Sequence, residues 1–182
     1  MCGDIRLVIK ILLLYILYCM KQLLIIRHAK SSWDFSDLSD FNRSLNERGH
    51  RDAPAMAKRI LAKSVQLDAI ISSPANRALT TATSFAAAYN FKAADIITIK
   101  ELYHASVKVF YETISKLDNK LHTVALFSHN PGITAFINEL TTTTIDNMPT
   151  CGIYAVKIKT DSWKEFKKAE KEFWFFDYPK NA

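Results

Sequence analysis

Residues suited to phosphoryl chemistry directly follow three short apolar runs of this sequence. Arg27 and His28 follow KQLLII, Arg77 closes the segment IISSPANR, and His129 follows VALFS. Arginine presents a planar, permanently charged fork that matches phosphate oxygens. A neutral imidazole attacks phosphorus through one ring nitrogen when the other nitrogen is held as a hydrogen-bond donor. The pattern therefore predicts a site that binds a phosphoryl group and reacts with it.

Either histidine has the chemistry of a nucleophile. His28 is favoured because it comes directly after a strand residue and is held by the sheet, whereas His129 suits stabilisation of charge that develops on the phosphoryl oxygens. Arg27 and Arg77, with Arg43 from a polar loop, supply the positive charge. The segments SSPANR and SHNPG also read as helix starts, the first capped by a serine and the second by Asn130, each with Pro in the first turn. The N–H groups at such helix starts favour an anion.

The elements that must position these residues alternate along the chain. Short apolar runs predict strands at 21–27, 68–72, 95–99, 122–127 and 152–158, and the aromatic run EFWFFD predicts an edge strand at 172–177. Apolar spacing predicts helices at about 47–64, 75–89, 106–117 and 132–140. Residues 31–46 have no clean period and read as a long loop of the kind that is often functional.

This alternation predicts an α/β fold, a three-layer α/β/α sandwich. Its mostly parallel sheet has about six strands, with one antiparallel at the edge. Open sheets of this kind bind ligands beyond the carboxyl ends of their strands. Arg27, His28 and His129 come at such strand ends, and Arg77 comes one helical turn after one, so we expect them to meet at one edge.

Composition excludes several other classes of protein. The chain has 182 residues, 49% of them apolar, which suits one globular domain. Its three cysteines are too few and too scattered for a disulfide framework or a paired zinc site, and its four glycines form neither a P-loop nor a dinucleotide fingerprint. Neither H-E-x-x-H nor G-x-S-x-G occurs. We expect no cofactor and no metal.

Charge and the N-terminus bear on partners and location. The net charge of +6 is spread among interleaved charges of both signs, so we expect no nucleic-acid partner. Residues 1–19 form a hydrophobic extension that lacks globular patterning. We expect it to reflect a start site assigned upstream of Met20, with a membrane anchor as the alternative, and the domain to span 20–182. A cytoplasmic location is expected.

At these residues the sequence resembles the histidine phosphatase superfamily, a phosphoglycerate mutase-like group whose signature is Arg-His-Gly or Arg-His-Ala after the first strand. The resemblance runs through LLIIRHAKSSW, RSLNERG, ISSPANRALTTA, ELYHAS and FSHNPG in the same order, from Met20 to about Phe176. It points to the short SixA-like phosphohistidine phosphatase branch.

The resemblance implies that His28 is phosphorylated in the cycle. It also implies that Arg27, Arg77 and His129 form the phosphate pocket, with Arg43 as the loop arginine of the branch. Ser44 stands where the branch usually has Pro, and Ala29 where Gly is commoner.

Larger members carry an acidic proton donor in an insertion that this chain has no room for, and Glu101 is the nearby candidate. His104, in the same segment, is at least as well explained as an exposed loop residue.

The expected function is therefore metal-independent hydrolysis of phosphohistidine on a protein through a phospho-His28 intermediate. One alternative is a monoesterase of the same superfamily that acts on a small phosphorylated molecule or on phosphoserine or phosphothreonine. Another is a non-catalytic phosphoprotein-binding module, which contacts a membrane only if residues 1–19 are expressed as an anchor.

Overall fold

A central six-stranded sheet carries the site. The computed structural model describes residues 20–32 and 39–181, so the predicted extension 1–19 and part of the predicted loop, 33–38, lie outside the described residues. The strands are β1 (Met20–Arg27), β2 (Ala69–Ser72), β3 (Ile97–Thr98), β4 (Thr123–Ser128), β5 (Ile153–Lys159) and β6 (Lys171–Asp177). Their order across the sheet is β3-β2-β4-β1-β5-β6. All six strands were predicted within a few residues.

The sheet is mostly parallel, as predicted. Strands β1 to β4 pair in parallel, and β6 at the edge pairs antiparallel with β5. Strand β5 is also antiparallel to β1, so it is the strand that runs against the others. The carboxyl ends of β1, β2 and β4 therefore lie side by side, which brings the residues that follow them to one edge of the sheet.

In the described part of the chain, four α-helices cover the sheet: α1 (Glu47–Ala62), α2 (Asn76–Ala88), α3 (Val107–Ile114) and α4 (Gly132–Ile137). The last two end about three residues before their predicted ends. At those ends the amides of Leu117 and Leu140 bond the carbonyls of Ile114 and Ile137, three residues back. The final turn is thus of the tighter 3-10 type, in which orphan carbonyls of a helix end are commonly satisfied.

Successive side chains of β1 point to opposite faces of the sheet, so the hydrophobic core has one layer on each face. Leu23 and Ile25 pack in a cluster with side chains of α3 and α4, while Leu24 and Ile26 pack with α1 and α2. All four side chains are fully buried. Helices thus lie on both faces of the sheet, which confirms the predicted three-layer α/β/α sandwich.

The segment that follows β1 is held against the start of α1. Asn46 caps this helix, its side-chain oxygen accepting from the amide of Gly49 at 3.0 Å, while its own amide donates to the carbonyl of Lys30 at 3.0 Å. A Cβ at Gly49 would collide with that same carbonyl, so only glycine permits this approach. Within the described ranges, no helix is long and apolar enough to cross a membrane.

Candidate active site

The end of β1 holds His28 in a rigid frame. β1 lies between β4 and β5, and the amide of His28 continues the ladder by donating to the carbonyl of Ser128 at 3.2 Å. On the other side, the amide of Cys151 donates to the carbonyls of Arg27 and His28, each at 3.1 Å. The His28 side chain is 7% exposed. Its backbone is therefore fixed by neighbours from two other parts of the chain.

The hydrogen bonds of the His28 ring define which nitrogen carries the proton. Nδ1 lies 2.7 Å from the carbonyl oxygen of Ala29, which can only accept, so Nδ1 is the donor. In the neutral ring Nε2 then has a free lone pair, and it accepts from Nε of Arg77 at 3.2 Å. Burial, with the nearby charges of Arg77 and Arg27, lowers the pKa of His28 to about 3. The ring is neutral at physiological pH.

Arg77 reaches the site from the first turn of α2. The predicted serine cap of this helix is absent, because Ala75 occupies the N-cap position, although Ser73 Oγ accepts from the Ala75 amide at 3.3 Å. Arg77 is 4% exposed. Its Nε faces His28, and its two terminal nitrogens donate to Asp40. Arg77 thus joins the end of β1 to the described part of the polar loop.

Arg27 lies beside His28 and is bound through one nitrogen. Its Nη1 donates to the carbonyl of Met148 at 2.5 Å, while Nε is buried without a hydrogen-bond partner among the described residues. Burial and the charge of Arg77 lower the pKa of Arg27. Two guanidinium groups are therefore held close enough together to repel, an arrangement that an anion would stabilise.

His129 faces His28 from the end of β4. The ring centroids are 5.1 Å apart, and His129 is 3% exposed. Its Nε2 is 2.8 Å from Ser73 Oγ, whereas Nδ1 is buried and unpartnered within the described residues. Burial, followed by electrostatic coupling to the His28 ring and the charge of Arg77, lowers the pKa of His129 to about 2.

The helix start predicted after His129 differs from the expectation. Asn130 does not cap α4, whose N-cap is Pro131 with no side-chain cap. The Asn130 side chain instead donates to the carbonyl of Met148 at 3.1 Å and accepts from the Thr134 hydroxyl at 2.8 Å. Asn130 and Arg27 therefore bind the same carbonyl, which connects the turn before β5 to the site.

Arg43 lies next to this cluster and is held through all three of its nitrogen atoms. Nε donates to the carbonyl of Ser32 at 3.0 Å, Nη2 to Ser31 Oγ at 2.7 Å and Nη1 to Asp40 Oδ1 at 2.9 Å. The replacement of Pro by Ser44 therefore does not leave this arginine loosely held. The structure thus brings together all five residues predicted for the site, with Asp40 between Arg43 and Arg77.

Two residues of the cluster, Asp40 and Tyr103, were not predicted from sequence. Asp40 is in the loop three residues before Arg43. Tyr103 is in the segment ELYHAS, in which the sequence indicates only Glu101 and His104 as candidates. The Tyr103 hydroxyl donates to Asp40 Oδ2 at 2.8 Å, and His104 Nε2 lies 3.9 Å from the same oxygen. The available signal was a carboxylate three residues before Arg43 in the same polar loop.

Glu101 lies elsewhere. It lines a groove with Ile99, Val109 and Lys116, and no hydrogen bond or ion pair joins it to the histidines or arginines of the cluster. The part of the chain that the structure describes also holds no group of three or more His, Cys, Asp or Glu side chains placed to bind a metal ion.

Comparisons of the sequence relate this chain to known proteins. The sequence profile of the histidine phosphatase superfamily (branch 1) matches residues 23–107. An uncharacterized chloroplastic protein of Arabidopsis thaliana is 28% identical over 153 residues, covering 80% of this chain and 70% of its own.

Solved structures extend the match over most of the fold. A SixA protein of Agrobacterium tumefaciens is 25% identical with a TM-score of 0.72, over 87% of this chain and 98% of its own. The protein histidine phosphatase SixA complexed with tungstate has the same fold, with a TM-score of 0.75 at 23% identity over 88% of this chain and 98% of its own. A mycobacterial glucosyl-3-phosphoglycerate phosphatase shares the fold at a TM-score of 0.59 and 15% identity, over 85% of this chain and 97% of its own.

The fold and the order of the motifs are those of a phosphatase. Over residues 23–107 the chain matches the histidine phosphatase superfamily, and its fold and sequence resemble those of the SixA-like members.

Proposed function

We propose that this protein hydrolyses phosphohistidine on a protein substrate through a covalent intermediate on His28. In the first step a bond forms between His28 Nε2 and phosphorus, the bond from phosphorus to the substrate imidazole breaks, and that imidazole takes up a proton. In the second step water attacks phosphorus, the bond to Nε2 breaks, and phosphate leaves. The observation that carries the proposal is the neutral His28 ring, with Nδ1 bound to Ala29 and the Nε2 lone pair facing Arg77.

Two unpartnered nitrogen atoms in the cluster support the binding of a phosphoryl group beside His28. Arg27 Nε and His129 Nδ1 are buried and unpartnered within the described chain, and buried donors rarely remain so without a ligand. Ser73 Oγ accepts from the Ala75 amide and can donate its own proton to His129 Nε2, and in that tautomer the ring proton of His129 is on Nδ1. We infer that the phosphoryl oxygens accept hydrogen bonds from Arg27, His129 and Arg77. Arg43 would contribute positive charge from the edge of the site.

The choice of substrate follows from the acids near the site. A phosphate monoester expels an alkoxide and needs a positioned proton donor, worth about 10²–10⁴-fold in rate. Glu101 lies in another groove, and the carboxyl of Asp40 has a pKa of about 2 and is ionised. A phosphohistidine leaves as imidazole, a better leaving group once protonated. The rim residues Asp40 and His104 are exposed, which suits a phosphorylated side chain presented on a protein surface.

A variant of His28 tests the catalytic cycle. His28→Ala should abolish turnover while the protein still binds tungstate, since the arginines remain. Labelled substrate followed by an alkaline quench should trap phosphate bound to nitrogen on the wild type only. Label retained by the variant would show that His28 is not the nucleophile. Undiminished turnover in the variant would do the same, whereas a wild type that binds without turnover would indicate a binding module.

The second candidate is a monoesterase of small phosphorylated molecules, favoured by the fold shared with the mycobacterial glucosyl-3-phosphoglycerate phosphatase. The comparison is kcat/KM on a phosphohistidine protein, a sugar phosphate and a phosphoserine peptide, using a chain that starts at Met20, the first residue of the proposed domain 20–182. We expect the phosphohistidine protein to be the better substrate. Equal or higher rates on a sugar phosphate, with a marked loss in Glu101→Gln, would establish the monoesterase with Glu101 as its acid.

A further inference from the structure

Asp40 contacts the side of the Arg77 guanidinium that is turned away from His28. Nη2 of Arg77 donates to Asp40 Oδ2 at 2.8 Å, and Nη1 donates to the backbone carbonyl of the same residue. Nε of Arg77 faces His28 Nε2 at 3.2 Å. Asp40 therefore accepts hydrogen bonds from both terminal nitrogens of Arg77. The edge of the guanidinium that contains Nε faces His28.

The carboxylate of Asp40 is held in turn by two other residues. The Tyr103 hydroxyl donates to Oδ2 at 2.8 Å, and Arg43 Nη1 donates to Oδ1 at 2.9 Å. The Tyr103 ring lies along Arg77, with 5.9 Å from the ring centroid to Cζ, and packs edge-on against His129 at 5.5 Å. Asp40, Tyr103 and Arg77 thus form a closed set of contacts behind the histidine pair.

The charge of Asp40 is settled by the same contacts. Burial alone would raise the pKa of its carboxyl, but hydrogen bonds from Tyr103, Arg77 and Arg43 outweigh it and lower the pKa to about 2. The group is therefore an anion near neutral pH. In this state it accepts hydrogen bonds and has no proton to give to a leaving group.

We propose that Asp40 is a positioning residue that fixes the Arg77 guanidinium with its Nε edge toward the phosphoryl group on His28. The inference rests on the proposed function, because it assigns that edge to the substrate. An arginine side chain has many rotamers, and holding it in its bound geometry beforehand removes an entropic cost from binding and reaction. Asp40 touches the arginine and acts through it.

The same contacts are also compatible with the opposite effect, in which Asp40 weakens anion binding. A measurement of anion affinity can distinguish the two. A carboxylate that merely occupies the arginines would compete with phosphate, and its removal would strengthen anion binding. A positioning carboxylate has the reverse effect, even though its removal makes the site more positive. The sign of the change in affinity therefore separates the two.

Asp40→Ala is the main variant, and tungstate is the probe. We expect its Kd for tungstate to rise about tenfold and kcat/KM to fall by a larger factor, since misplacing a catalytic group costs on the order of 10²-fold. Asp40→Asn keeps one side-chain acceptor and should lose less. Tyr103→Phe removes only the hydroxyl bond to Asp40 and should lose least. Because the bonds to Asp40 should slow rotation of the guanidinium, we expect two separate ¹⁵N NMR signals for the Arg77 terminal nitrogens in the wild type and one merged signal in Asp40→Ala.

Asp161→Ala is the matched control, because it removes the same charge from an exposed position in the turn between β5 and β6. It should leave tungstate affinity and the Arg77 signals unchanged. Unchanged or tighter tungstate binding in Asp40→Ala would overturn the inference, and so would unchanged Arg77 signals. If the wild type itself neither binds tungstate nor releases phosphate from a phosphohistidine protein, it is the proposed function that fails.

Discussion

His28 Nε2 accepts a hydrogen bond from Arg77 Nε at 3.2 Å. The nitrogen atom that would attack phosphorus is therefore hydrogen-bonded to the arginine that we expect to bind the phosphoryl group. A phosphoryl group that bonds to Nε2 removes that acceptor and offers its own oxygens to the same N–H. Arg77 can therefore exchange a nitrogen acceptor for a charged oxygen without leaving its place. A hydrogen bond to a charged acceptor is the stronger of the two, which favours the phosphorylated state.

Arg77→Ala should lose anion binding, in contrast to His28→Ala, which should lose turnover alone. A charge-assisted contact of this kind contributes about 1.5–3 kcal/mol, so tungstate affinity should fall at least roughly tenfold. Isothermal titration with tungstate measures this. Arg51→Ala, at an arginine whose side chain is 73% exposed, is the control and should bind as the wild type does. Wild-type affinity in Arg77→Ala would exclude it from the phosphate site.

Stability should decrease as the pH is lowered from 6.5 toward 4. His28 and His129 have pKa values of about 3 and 2 when folded, and a histidine in the unfolded chain titrates near 6.5. In this window the unfolded chain binds more protons, so acid favours unfolding, by at most about 1.4 kcal/mol per pH unit for each histidine. Urea denaturation at several pH values measures the slope.

His28→Ala is the matched comparison for this slope, because it removes one of the two groups. Its free energy of unfolding should depend less steeply on pH between 4 and 6.5 than that of the wild type. The ionised Asp40 contributes mainly below this window, since its pKa is about 2 when folded. Identical slopes in the two proteins would contradict a depressed pKa at His28.

Chelators should leave the activity unchanged. Arginine side chains supply the positive charge that a metal ion would otherwise provide to the phosphoryl oxygens. The measurement is kcat/KM before and after dialysis against EDTA, with a metal-dependent phosphatase treated in parallel. Loss of activity that one divalent metal restores would show that the chemistry depends on that ion.

Gly132→Ala should destabilise the protein by about 1–3 kcal/mol, the usual cost of forcing atoms into a packed region. A Cβ at Gly132 would collide with the backbone carbonyl of Ala105, which cannot rotate away as a flexible side chain does. Gly152→Ala, whose new Cβ would lie 2.9 Å from the Pro149 carbonyl oxygen, should cost less. Urea denaturation ranks the two, and a Gly132→Ala protein as stable as the wild type would contradict the packing described.

Local patterns in the sequence determined the elements and their type. The apolar runs of β1 and β4 are patterns among residues a few positions apart, and so is the spacing of apolar residues in α1 and α2. Such patterns can be recognised without a structure. The placement of Arg27 and His28 follows from them, because residues after neighbouring parallel strands meet at one edge. The direction of β5 did not follow, since an apolar strand reads the same in either orientation.

Tertiary structure decided the contacts between distant segments. Asp40 reaches Arg77 across 37 positions, and Ser73 meets His129 across 56, distances at which spacing along the chain carries no geometric information. Asn130, predicted as a cap, bonds Met148 and Thr134, because a polar side chain takes whichever partners the fold presents. The pKa values of the two histidines likewise depend on burial and on neighbouring charges, which exist only once the sheet and its helices have assembled.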